Sequence, residues 1–226
     1  MKKNSTYTYI NYILTICFLL SSISFLQGQF DGTDWSNTLG GNGSETIEDV
    51  LELSNNQIVS VGTTTAGDKG GVDGLVVISD FFTGQTLQKI FLGGKKEDVI
   101  QKVVQHWDGS LVLAGYTSSK GKYSQEAWLI NMTTEGKVLW ERTYGSTKAD
   151  YFSALGITKS GSIVAAGTNG SKKGKTWLTI IDKGEIQQEY LLGKGELDVV
   201  NDLIVTSQDQ LILTGCLLYT SDAADE

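Results

Sequence analysis

Leu111-Val112-Leu113-Ala114-Gly115 is a short apolar run closed by glycine, and the chain writes it three more times. The other copies are Ile58-Val59-Ser60-Val61-Gly62, Ile163-Val164-Ala165-Ala166-Gly167 and Leu211-Ile212-Leu213-Thr214-Gly215, with closing glycines 53, 52 and 48 residues apart. Anchors upstream keep the same register. A turn glycine stands at Gly40, Gly93, Gly145 and Gly193, and an acid follows at Asp49, Asp98, Asp150 and Asp198. A period near 50 residues built on apolar runs of strand length predicts a β-propeller or a related β array.

The second copy shows what one repeat contains. Val99 to Gln105 reads as a first strand, and His106-Trp107-Asp108-Gly109-Ser110 as a hairpin turn carrying Asp-Gly. Leu111 to Tyr116 is a second strand, apolar almost throughout, as a strand buried on both faces should be. A polar loop from Ser118 to Gln125 leads to a third strand, Ala127 to Met132, and a turn at Thr134-Glu135-Gly136-Lys137 leads to a fourth, Val138 to Tyr144. The expected class is all-β: a propeller-like array of four-stranded antiparallel blades, about three and a half repeats long, in an incomplete ring.

Trp128 and Trp177 take equivalent places on the third strand, with Leu75 there in the first copy, and Trp35 and Trp140 each stand five residues before an anchor glycine. Rings at repeated positions suit packing between blades, where each buries roughly 150–250 Å²; sugar stacking is the rival role. The acids read as residues that fix strand-entry turns through backbone amides. A calcium loop would need closely spaced acids, and Asp68 and Asp73, the nearest approach, have Lys69 between them. No metal ligand, cofactor-binding residue or catalytic residue is assigned. Gly40-Gly41 and Gly93-Gly94 do not lead into a phosphate loop, and His106, the single histidine, has no triad to join. Lysine-bearing loops at Gly67 to Gly71, Ser118 to Lys122 and Gly170 to Lys175 share one slot in three copies. They read either as a contact face or as solvated connections.

The ends read differently from the repeats. Lys2 and Lys3, an apolar run from Ile13 to Leu26, and Leu26-Gln27-Gly28 make residues 1–28 a signal peptide cut after Gly28. The rival, an uncleaved anchor, is disfavoured by a short core interrupted by serines. Repeats then occupy 29–215. From Cys216 to Glu226 the pattern breaks, and Cys216 to Asp225 matches the translation of a sequencing adapter, so 216–226 is expected to be a non-native tail on a truncated chain. The net charge is −8. Without both end segments there are 16 basic and 23 acidic residues and no cysteine, which excludes a broad nucleic-acid footprint, thiol chemistry and disulfides.

Trp107-Asp108-Gly109-Ser110 with Ala114-Gly115-Tyr116-Thr117-Ser118, and Trp140 through Gly145, resemble the repeats of long secreted proteins of Bacteroidetes-type bacteria. That resemblance implies export of the type IX kind, a place in the medium or on the outer cell surface, and a noncatalytic scaffold for binding or adhesion. Its partner would be an extracellular protein or glycan, not nucleic acid, with no membrane span after cleavage and no cofactor. Asn131-Met132-Thr133-Thr134-Glu135-Gly136-Lys137-Val138-Leu139-Trp140 also looks like the Thr-Gly-x-x-x-Trp phrase of quinoprotein-type propellers. The alternative readings are therefore a fragment of such an enzyme, or a spacer of a larger secreted enzyme.

Overall fold

The computed structural model describes residues 35–172, 175–193 and 199–216. The chain divides into two units, Met1–Ser36 and Asn37–Glu226. Only residues 35 and 36 of the first are described, so the segment read as a signal lies outside the described residues, as do residues 217–226 of the tail. Every strand below belongs to the second unit.

Among the described residues, fourteen strands form four antiparallel sheets in strict chain order. The first contains β1 (Glu45–Leu53), β2 (Gln57–Thr64), β3 (Asp73–Asp80) and β4 (Thr86–Leu92). The second contains β5 (Asp98–Gln105), β6 (Leu111–Thr117), β7 (Glu126–Met132) and β8 (Val138–Tyr144). The third contains β9 (Asp150–Ile157), β10 (Ile163–Asn169), β11 (Lys175–Asp182) and β12 (Glu185–Leu192), with a 3₁₀ turn at Gly170–Lys172. β13 (Val199–Val205) pairs with β14 (Leu211–Cys216) in a fourth, two-stranded sheet. The strands expected in the second repeat are found within a residue of their predicted ends. Four blade-like sheets, the last with two strands, are the repeats read from the sequence; no barrel closes among the described residues.

The repeated glycine has a steric cause. A Cβ on Gly62, Gly115 or Gly167 would stand 1.9 Å from the carbonyl oxygen of Thr46, Val99 or Tyr151, and one on Gly215 would stand 2.0 Å from that of Val199. Each of these oxygens belongs to the first strand of the same blade, beside a β-bulge at Ile47/Asp49, Ile100/Lys102, Phe152/Ala154 or Val200/Asp202. Bulges bend a strand and sharpen its twist, and here the bend brings the two backbones too close for any side chain. The turn after each first strand repeats as well. Asn56, Gly109, Gly161 and Asp209 hold φ of 60°, 87°, 89° and 59°, the left-handed conformation that Gly, Asn and Asp tolerate best.

Packing follows from the alternation of β2, β6 and β10 and their partners. Val59, Val61, Val76 and Ile78 of the first blade meet Ile100, Leu111, Leu113, Trp128 and Ile130 of the second. Val112, Ala114 and Leu129 then meet Phe152, Ile163, Ala165 and Trp177 of the third. Val164, Ala166 and Leu178 meet Val200 and Leu203 of the fourth. Residues facing opposite ways on one strand thus enter different cores, which is why the middle strands are apolar throughout. Trp128 and Trp177 are buried at 1% and 2% exposure, and Phe152 stacks on Trp177 at 5.1 Å. The packing reading holds for both, and Trp140 is half-buried against the same core as Trp177. Trp35 is exposed at 41%.

Gly115→Ala is expected to cost about 3 kcal/mol of stability or more, because the obstacle is backbone rather than a movable side chain. Denaturant unfolding would check it. A loss below about 1 kcal/mol, in the range of an ordinary substitution, would contradict the notch.

Candidate functional site

Each sheet is an antiparallel meander, so its connections alternate between two ends. Loops between second and third strands (65–72, 118–125) leave from the same end as the links between blades (93–97, 145–149). Of the third loop, 170–172 is described and 173–174 is not.

The repeated acids organise that end. Asp98 accepts from the amide of Gly94 at 2.7 Å through Oδ2, and its Oδ1 takes the Thr117 hydroxyl and the Ser119 amide. Asp150 accepts from the amides of Ser146 at 2.6 Å and Gly170 at 2.8 Å. One carboxylate therefore pins both the incoming link and the blade's own loop. Burial pushes the Asp150 carboxyl above its ordinary range, against the pull of the Ser146 and Gly170 amides. The first copy differs from the sequence alignment. Asp98 pairs with Thr117, Asp150 with Asn169, and Glu45 with Thr64, so Glu45, not Asp49, is the equivalent acid. Glu45 follows Gly40 by five residues, as Asp98 follows Gly93; the spacing was a usable signal that the change from Asp to Glu obscured. Asp49 instead accepts from the Val103 amide of the next blade at 3.0 Å. Asp198 lies outside the described residues.

Asp68 and Asp73 do not converge. Asp68 is exposed and pairs with Lys69 at 3.7 Å, whereas Asp73 is buried. Burial, with a smaller contribution from Asp98, raises its carboxyl above the ordinary range despite the Lys69 amide. Among the described residues no three His, Cys, Asp or Glu side chains converge as a metal site.

The loops at this end are knitted together and rich in lysine. The Lys96 amide donates to the Ser119 hydroxyl at 2.8 Å, and the Ser146 hydroxyl meets that of Ser171. Lys120 pairs with Glu141 at 2.6 Å and lies 5.4 Å from the Trp128 ring centre. Lys69, Lys95, Lys96, Lys122, Lys148 and Lys172 are all exposed, against the exposed acids Asp68 and Glu97 in the same connections. This is a locally cationic end on a chain of net charge −8.

The opposite end carries the only histidine. His106 Nε2 donates to the Gly161 carbonyl at 2.9 Å, and Trp107 Nε1 donates to that of Thr158 at 2.6 Å. Both straps tie the second blade's turn to the third blade's turn, so His106 holds structure there. Trp107 is nonetheless 68% exposed. It borders a cavity of about 530 Å³ whose apolar lining includes Leu51, Val104 and Ile157. The Ser110 hydroxyl, aided by the Ser110 amide and His106 against a desolvation penalty, holds Asp108 down at about 2. A carboxyl depressed by folding contributes stability that is present above its unfolded value of 3.8 and lost as pH falls toward 2. Melting temperatures of Asp108→Asn are therefore expected to fall less than those of the unaltered chain between pH 4 and 2. Parallel declines would contradict the assignment.

No family model matches the chain, and no curated protein sequence matches it. Among solved structures it is similar to a protein of unknown function from Bacteroides caccae, whose crystal structure was determined at 1.35 Å. The identity is 12%, the match covers 62% of this chain and 46% of that one, and the TM-score is 0.44. The matched part is thus less than half of that protein's length. Among the described residues no helix is long and apolar enough to cross a membrane.

Proposed function

We propose that the chain is an exported, noncatalytic repeat scaffold that presents the loops of its lysine-rich end to an extracellular partner. One observation carries the reading: the loops in one slot differ in sequence and length, while the strands beneath them keep one hydrogen-bonded register from blade to blade. Variable connections on a constant framework are the usual way for repeat folds to make contacts. The charge of that end adds a direction. Among the described residues, exposed ammonium groups there outnumber exposed carboxylates on an otherwise acidic chain, which favours a polyanionic surface, a glycan or an acidic protein, over a basic one. Affinity would be the sum of several shallow contacts on a rigid base. The basic, apolar and small-residue pattern of residues 1–28 supports export, with Gln29 as the mature N-terminus.

Immobilised heparin is a suitable polyanionic glycan probe. Serine at Lys95, Lys96, Lys122, Lys148 and Lys172 is expected to abolish retention. Serine at Lys137, Lys159 and Lys183, in turns of the opposite end, is expected to leave it unchanged. Absence of retention, or equal loss in both sets, would contradict the reading.

A further inference from the structure

Trp128 is buried at 1% exposure, and its indole Nε1 has no hydrogen-bond partner among the described residues. A buried N–H left without an acceptor is costly. Its counterpart in the third blade is satisfied: Trp177 Nε1 donates to Glu189 Oε2 at 3.1 Å. The second blade carries the same acceptor in the same place. Trp128 pairs with Thr143 and Trp177 with Leu191. Glu141 and Glu189, two residues earlier on the fourth strand, therefore share a sheet face with their tryptophans.

A lysine decides which partner Glu141 takes. Lys120 Nζ donates to both Glu141 oxygens, at 2.6 and 2.7 Å, and lies 5.4 Å from the Trp128 ring centre. The pairs Thr117 with Glu126 and Asn169 with Lys175 make Thr117 and Asn169 equivalent, and Lys120 and Lys172 each stand three residues further on. Lys172 is exposed in its 3₁₀ turn, and Glu189 is left to the indole. The first blade has no such trio, since Leu75, Lys89 and Gly67 take the places of the tryptophan, the glutamate and the lysine. Two blades thus show one Lys–Glu–Trp set in two arrangements.

We propose that Lys120 is a further anion-binding residue of the lysine-rich end, and that an anionic group on its ammonium sends Glu141 to Trp128 Nε1. This rests on the polyanion reading of that end and adds to it a lysine that Glu141 holds in reserve. The exchange gives up little. The Lys120 and Glu141 side chains are 34% and 37% exposed, where an ion pair contributes weakly, while the buried indole gains the acceptor it lacks. A sulfate or carboxylate group of the ligand takes the ammonium's donors in place of Glu141. Such a ligand needs the ammonium free, so it binds one arrangement better than the other and shifts the population toward it. The second blade then has the arrangement that the third shows without ligand.

Heteronuclear spectra of the full chain, read at the five tryptophan indole N–H groups, test it with a heparin hexasaccharide as the probe. Hydrogen bonding moves an indole proton downfield, and Trp177 serves as the bonded standard. The hexasaccharide is expected to move the Trp128 indole proton downfield in step with binding. Lys120→Met is expected to move it without ligand, and adding Glu141→Ala to that variant to move it back. Lys120→Met should leave immobilised heparin at lower salt than the unaltered chain. Glu141→Ala, whose Lys120 is free from the start, should leave it at higher salt. Retention on heparin with the Trp128 proton unmoved would overturn the exchange and leave the polyanion reading standing. A Lys120→Met spectrum with that proton unmoved would overturn it as well. Absence of retention would overturn the polyanion reading and, with it, the role of Lys120 as an anion-binding residue.

Discussion

A backbone carbonyl on the first strand of each blade occupies the place where a side chain on the second strand would begin. That contact recurs at Gly62, Gly115, Gly167 and Gly215. It fixes the bulge and therefore the bend of the first strand. The bend in turn brings successive first strands side by side, close enough for Asp49 of β1 to take the amide of Val103 in β5. The middle strands are then sandwiched between neighbouring sheets and become apolar on both faces. The fourth strands lie outermost, and β12 is exposed along its whole length.

The same architecture separates two kinds of polar work. At the end that carries the links between blades, buried carboxylates gather amides from loops that would otherwise have no common anchor. At the other end the turns bond directly to one another, through His106 and Trp107 to Gly161 and Thr158 and through Asp209 to Lys159. These buried carboxylates hold the loops through their amide partners. Their arrangement is what permits lysine-rich loops of unequal length to sit on one framework.

Much of the fold was legible because the repeat is written in residues that answer to backbone geometry. Gly115, the Asp108-Gly109 turn and the apolar run Leu111 to Ala114 each have a local cause, and their recurrence located the strands to within a residue. Trp128 and Trp177 were legible as packing residues for the same reason. What stayed hidden depends on contacts between repeats. Asp73 looks ordinary in its own repeat, since its neighbour Asp98 lies 25 residues on and reaches it only when the blades stack. Glu45 was missed because a longer acid replaced Asp at the equivalent place, while Asp49 offered the expected letter four residues later. The strap from Trp107 to Thr158 likewise joins residues with no shared pattern.

Amide hydrogen exchange resolved by residue would read the notch-fixed stacking strand by strand. If notch-fixed stacking holds the structure, amides of β2, β3, β6, β7, β10 and β11 exchange slowest and as one cooperative group. Those of β12 and β14, exposed along most of their length, exchange orders of magnitude faster. Equal protection across inner and outer strands, or fast exchange at the paired amides of β6 and β10 beside Gly115 and Gly167, would contradict it.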